Sequence, residues 1–305
     1  MSLSRLQTAT DILKERTRAY EAQAYQAHRG MAFGDGGEAP PLSLGASAVD
    51  HCLEGGLACG GLHEVRAALA RDIGATTGFA LGLAARAAHA DRDGDGRRGI
   101  VWVSDPATRV DGGGLFPAGL AQYGLDPSSI TIVEPGDLQG AMWAADEASG
   151  CNGLAALIFQ IKGNPARFDI TATRRLMLRA RSSGVLALIL RQSGEEEASA
   201  AATRWRVNTE MSGADDMFER GVGAMRLSLT LERNRAGRTG QWLLAWNPKV
   251  RSFDHAAPHP AQKRLSGANS PAHSLDRLPV SANRQGPSGK MGQVLDHRQD
   301  FGRSS

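Results

Sequence analysis

Between residues 61 and 190 the chain alternates short, unbroken apolar runs with stretches whose apolar residues recur every three or four positions. The runs at 99–103, 130–133, 154–159 and 185–190 are rich in Val, Ile and Leu, and Gly61–Val65 reads as a further short strand before them. That pattern predicts strands covered on both faces. The stretches at 77–90, 115–123, 137–149 and 170–183 carry the helical period. Strand and helix in alternation predict βαβ units and a mainly parallel sheet flanked by helices, an α/β fold. Further on the period changes to two. Met225, Leu227, Leu229 and Leu231 alternate with Arg226, Ser228, Thr230 and Glu232, and Trp242, Leu244 and Trp246 follow a turn at 236–240. This predicts an antiparallel hairpin at the sheet's edge, with one face exposed.

The flanks have another character. Residues 3–29 predict a helix with a narrow apolar stripe (Leu6, Ala9, Leu13, Tyr20, Ala27), either packed on the body or serving as an interaction arm, and 30–41 are a Gly- and Pro-rich linker. From 253 to 305 Pro, Ser, Gly, Asn and Gln dominate without a sustained apolar period, which predicts a disordered tail. The organisation expected is therefore an N-terminal helical arm and linker over 1–41, one core over 42–252 and a tail over 253–305. With 305 residues and 41% hydrophobic content, one medium core with extensions is what the chain can bury.

Composition narrows the function. Cys52, Cys59 and Cys151 have no metal-ligand spacing and read as small buried hydrophobes of a reducing compartment. No apolar run reaches the ~18 residues of a membrane span, so a cytoplasmic protein without membrane attachment is expected. The tail from residue 253 carries seven basic and four acidic residues, which is the whole net charge of +3. A neutral body gives no support to strong autonomous DNA binding. The histidines share no ligand spacing, and the Asp91–Gly96 stretch lacks the closing glutamate of a calcium loop, so no metal and no cofactor are expected.

One segment has the setting of a phosphate-binding loop, a predicted strand before it and a small-residue helix after it. Such a loop ends Gly-Lys-Thr or Gly-Lys-Ser, its ammonium on the β and γ phosphates and its hydroxyl on Mg²⁺. Here Gly74, Ala75, Thr76 and Thr77 stand there, and the lysine position is Ala75. Without that charge the main side-chain stabiliser of a transferring phosphoryl group is missing, so no catalytic residue is assigned.

The order of Leu42-Ser-Leu-Gly45, Val49-Asp50, Gly55-Gly56-Leu57, Gly60-Gly61-Leu62-His63-Glu64-Val65 and the hairpin Leu231-Glu232-Arg233-Asn234-Arg235 with Trp242 and Trp246-Asn247 resembles the RecA superfamily, and more closely its ImuA branch. The resemblance spans about residues 42–250 and implies a RecA-like core. It also identifies departures. Gln160 stands in place of the metal-holding aspartate after Leu157-Ile158-Phe159, Asp105 is the acid nearest the catalytic-base position, and Gln192 resembles the γ-phosphate-sensing glutamine. Gly194 is followed by Glu195, Glu196 and Glu197, a poor contact for a phosphate backbone. Arg233, Asn234 and Arg235 are similar to the family's basic-Asn-basic strand end, which implies an interface role; two solvated arginines on an edge strand are the alternative. Thr203-Arg204-Trp205-Arg206 reads as the edge of a packed strand with Trp205 buried and the arginines snorkelling, with stacking on nucleic acid as the alternative.

The resemblance implies a non-catalytic RecA-like adaptor in SOS-type translesion synthesis. Its implied partners are RecA, a Y-family polymerase homologue and an error-prone replicative-type polymerase, and it would reach the nucleoid through them. A SulA-like cell-division inhibitor and a partner-completed ATPase are the alternatives.

Overall fold

The computed structural model describes residues 40–67, 69–90, 99–212 and 223–257. The chain divides into two units, 1–263 and 264–305, and all described residues belong to the first. The predicted arm over 3–29, the Asp91–Gly96 stretch and the tail beyond 257 lie outside them.

The strands are β1 (Leu62–Ala67), β2 (Gly99–Ser104), β3 (Ile130–Val133), β4 (Leu154–Lys162), β5 (Leu186–Gln192), β6 (Thr203–Glu210), β7 (Arg226–Asn234), β8 (Gly240–Asn247) and β9 (Ser252–His255). The helices are α1 (Ser47–Cys52), α2 (Ile73–His89), α3 (Pro106–Gly112), α4 (Pro117–Ala121), α5 (Leu138–Ser149) and α6 (Ile170–Ser183). All described strands form one sheet in the order β3-β2-β4-β5-β1-β6-β7-β8-β9. From β3 to β6 the pairings are parallel, and β7, β8 and β9 continue antiparallel. The predicted fold class holds, a mainly parallel sheet flanked by helices with an antiparallel extension.

Helix caps explain several boundaries. The Asp137 carboxylate accepts from Gly140 N at 2.7 Å and the Asp169 carboxylate from Ala172 N at 2.9 Å, so α5 and α6 start where the sequence predicts. Helix α3 was not predicted, although Asp105 as cap and Pro106 in the first turn are a start signal.

Two apolar layers sandwich the sheet. On one face α2 packs over Val65, Trp102, Leu188, Trp205, Leu229, Trp246 and Phe253. On the other, the alanines of α5 and Leu176 of α6 cover Val101, Leu157, Phe159 and Ile189. Helix α2 lies close to the antiparallel strands because it carries glycine there: a Cβ on Gly82 would stand 2.5 Å from Phe253 Cζ. Phe253 is fully buried and β9 pairs with β8, so the core runs past the predicted limit at 252. The antiparallel hairpin stands at that end of the sheet as predicted, with one further strand outside it. β7 is paired on both sides, and β9 follows β8.

His63, fully buried on β1, ties it to β6. Its Nε2 faces the carbonyl of Ala58 at 3.0 Å, which only an N–H can satisfy. Trp205 Nε1 donates to Thr203 Oγ1, leaving that hydroxyl to donate to His63 Nδ1, both at 2.8 Å. The ring is thus held neutral, and burial drives its pKa down to about 4 against the pull of the Ala58 hydrogen bond. The unfolded chain binds this proton more readily, so stability is full above pH 6.5 and falls as the pH drops toward 4, by roughly 3 kcal/mol. Chemical denaturation between pH 7 and 4.5 should show that slope, and His63→Gln should flatten it. An equal slope in the variant would remove His63 as its source.

Candidate functional site

Ligands of open α/β sheets sit outside the carboxyl ends of the strands, and the ends of β1, β2, β4 and β5 bring the predicted nucleotide-site positions together. The connection from β1 runs through a short 3-10 turn, Ala70–Asp72, directly into α2. Gly74, Ala75, Thr76 and Thr77 therefore form the first turns of that helix. Ala75 and Thr76 are buried, and the Thr76 hydroxyl donates back to the Asp72 carbonyl at 2.7 Å. That hydroxyl is committed to the backbone rather than turned to a ligand. The helix N-terminus also has an anion of its own: buried Asp72 precedes it, with Oδ1 accepting from Thr209 N at 2.8 Å. A carboxylate there occupies the favourable end of the helix dipole, where a phosphate would otherwise gain.

Gln160, at the end of β4, is buried, and its Oε1 accepts from Trp102 Nε1 at 3.1 Å and from Ser104 Oγ at 3.2 Å. Asp105, the predicted nearest acid, is buried as the cap of α3, with Oδ1 accepting from Ala107 N at 3.3 Å. Beside this network lies a cleft of about 40 Å³ bordered by Thr77, Ser104, Gly113, Leu115, Glu134 and Gln160. That is room for a few waters. Glu134, which sequence reading passed over, pairs with Arg109 at 3.2 Å beside it. Gln192, 1% exposed, is different. Neither atom of its amide has a hydrogen-bond partner, and a Cβ on Gly112 would come within 2.8 Å of its Nε2. The structure thus gathers 74–77, Gln160 and Gln192 at one end of the sheet, with Thr76 and Gln160 already internally bonded.

The predicted interface residues have another place. Arg233 Nη2 donates to Ser199 O at 3.0 Å, Ser199 Oγ at 3.1 Å and Ala201 O at 2.7 Å. Burial, then its neighbours Arg204 and Arg235, holds its pKa below the usual arginine range. Asn234 Nδ2 donates to Arg238 O at 2.9 Å and to Cys52 O at 3.3 Å, closing the hairpin turn onto α1. Only Arg235 is exposed, with one 3.3 Å bond to Ser199 O. The picture of a solvated edge-strand pair fails because β7 is an inner strand and the segment 193–202 crosses beside it.

Under that segment lies a charged cluster the sequence reading did not assign. Glu64 is 1% exposed and receives Arg191 Nε at 2.9 Å, Ser199 Oγ at 2.9 Å, and Arg204 Nε and Nη2 at 3.3 Å each. Burial pushes its carboxyl up, but Arg191 and Arg204, with the hydrogen bonds from Ser199 and Arg191, outweigh that and hold it below the ordinary range. Arg204 is buried on an inner strand, not snorkelling at an edge, and also holds Glu196 at 2.9 Å and the Glu197 carbonyl. The Glu197 carboxylate accepts from Asn164 at 2.8 Å. The acidic run is thereby tied to the body. Its signal in the sequence was a carboxylate at an inner position of a strand buried on both faces, which requires cations on the neighbouring strands. Trp205, by contrast, is buried as predicted.

Glu64→Gln leaves two buried guanidinium groups short of their counter-charge, and breaking a buried pair in this way costs roughly 3–5 kcal/mol. Thermal melts should show a large fall in Tm, against a small one for the exposed pair variant Arg109→Gln. Equal, small losses would make the cluster incidental to the fold.

No family model matches the chain. It is similar to the protein ImuA of Caulobacter vibrioides, in strains NA1000/CB15N and ATCC 19089, with 31% identity over 234 residues that cover 72% of this chain and 87% of the relative. Among solved structures it is similar to the RadB recombinase at a TM-score of 0.48 and 17% identity, covering 71% of this chain and all of that one. Identity at that level over that span makes the chain a member of the ImuA family, accessory proteins of damage-induced mutagenesis.

Proposed function

We propose that the protein is a non-catalytic adaptor of translesion synthesis, a RecA-like body that docks partners rather than cycling ATP. The observation that carries this reading is the first turn of α2, where Ala75 stands in the lysine position and the Thr76 hydroxyl is bonded to Asp72 O. Gln160 supports it, since a neutral amide does not supply the hard anionic oxygen that Mg²⁺ prefers. The absence of a phosphate-binding cation and of an anionic metal ligand removes the two largest electrostatic contributions to phosphoryl transfer.

The partners proposed are RecA, a Y-family polymerase homologue and an error-prone replicative-type polymerase. A core related in shape to a filament-forming ATPase keeps complementary surfaces after its chemistry is lost. Of the three hairpin residues, Arg235 is the one whose side chain remains open to such a contact. No described helix is long and apolar enough to cross a membrane.

Radiolabelled ATP turnover, measured alone and with RecA, should stay at background, while immobilised protein should retain purified RecA or the polymerase homologue. Turnover that Thr76→Ala abolishes would overturn the non-catalytic reading and favour an ATPase completed by its partner. Retention of neither protein would overturn the adaptor role.

A further inference from the structure

The outer face of α6 sets arginines beside exposed aliphatic side chains. Its four arginines divide by direction. Arg175 and Arg179 turn toward α5, where Arg175 meets Asp146 at 2.9 Å and Arg179 meets Asp146 at 3.2 Å and Glu147 at 3.3 Å. Arg174 and Arg181 turn the other way, are exposed, and have no ion pair or hydrogen bond among the described residues. They interleave with Ile170, 47% exposed, and Leu178, 56% exposed. At ~100° per residue these four positions fall within about 80° of the helix circumference and span roughly 16 Å. The opposite side of the helix, Ala172, Leu176 and Ala180, is fixed in the core. Arg167, also exposed, stands in the preceding turn. No carboxylate occurs on α6 itself.

We infer that this stripe is a docking surface for an acidic amphipathic helix of another protein, with carboxylates meeting Arg174 and Arg181 and aliphatic side chains covering Ile170 and Leu178. Charge complementarity selects the partner. The acids on and beside the helix are engaged elsewhere, Asp146 and Glu147 by Arg175 and Arg179 and the cap Asp169 by Ala172 N, and none is paired with Arg174 or Arg181 among the described residues. Neither terminal segment can supply the charge: residues 1–39 hold five acidic and five basic residues, and 258–305 hold three acidic and seven basic. The chemistry of the stripe also discriminates among partner classes. Single-stranded nucleic acid is gripped by cations interleaved with aromatic platforms, and here the interleaved residues are aliphatic. A membrane-surface helix buries its whole apolar face in lipid, whereas the apolar face of α6 is committed to the sheet. An aliphatic pair framed by arginines matches helix-on-helix recognition, with anchors one or two turns apart. This surface is independent of the nucleotide-site residues and of the adaptor reading.

The test uses the full chain and a fluorescently labelled helical peptide with Leu and Glu at i, i+4 spacing, read by anisotropy. Three controls accompany it: the same peptide with Lys for Glu, a single-stranded oligonucleotide, and phosphatidylglycerol vesicles. The acidic peptide should bind saturably and weaken with salt, and Arg174→Glu/Arg181→Glu should lower the affinity at least tenfold without moving the melt. Should charge reversal disturb folding, Arg174→Gln/Arg181→Gln gives the same reading with a smaller loss, and Leu178→Ser tests the aliphatic contact. The inference is overturned if the acidic peptide does not bind saturably, if folded variants bind it as the parent does, or if Arg174 and Arg181 matter for oligonucleotide or vesicles and not for the peptide.

Discussion

One carboxylate in the middle of the sheet sets conditions that much of the molecule must meet. Glu64 sits on β1, between β5 and β6, and each neighbour supplies one guanidinium group. Taking such ions out of water costs several kcal/mol apiece, returned only when geometry and remaining hydrogen bonds are complete. Here they are completed from beyond the strands, by Ser199, Glu196 and the Glu197 and Gly163 carbonyls. The network therefore specifies more than it stabilises. A slip of one residue would carry Glu64 to the opposite face, among Phe79, Leu188 and Trp205, where no cation waits. The same group fixes the path of 193–202, and through Ser199 it reaches Arg233 on β7. The parallel and antiparallel parts of the sheet are thus joined by ionic chemistry as well as by backbone pairing.

This explains why the fold was more legible than its polar interior. Apolar runs and helical periods are local properties of the chain, and the strands at 130–133 and the helix over Ile170–Ser183 stand where those patterns put them. The partners of Glu64 lie 127 and 140 residues away in sequence, so no window of periodicity contains them. Arg204 was assigned to an edge for the same reason: β6 is an inner strand because β7, which joins from later in the chain, pairs on its far side. Phe253 is a similar case. Its segment is polar in composition, and the one aromatic residue that anchors β9 cannot outweigh that average. At the nucleotide-site positions the residues that are missing were readable, because absence of lysine is a local fact. The internal bonds of Gln160 were not, because they depend on Trp102 and Ser104 being brought alongside from a neighbouring strand.

The two departures at that site belong together physically. Ala75 and Gln160 are both buried and both neutral. A lysine at the first position and an aspartate at the second would each place a charge in a low-dielectric setting, tolerable while a bound nucleotide and its metal supply the opposite charges and costly without them. An amide at 160 can accept from Trp102 and Ser104 and remain uncharged, so the network is satisfied with nothing bound. At the other end Asp72 stands buried ahead of the helix and accepts from Thr209 N. The buried amide of Gln192, by contrast, lacks a hydrogen-bond partner. The polar groups at these strand ends are thus largely bonded within the body, while Arg235 on the hairpin turn and Arg174 and Arg181 on the outer face of α6 stand in solvent.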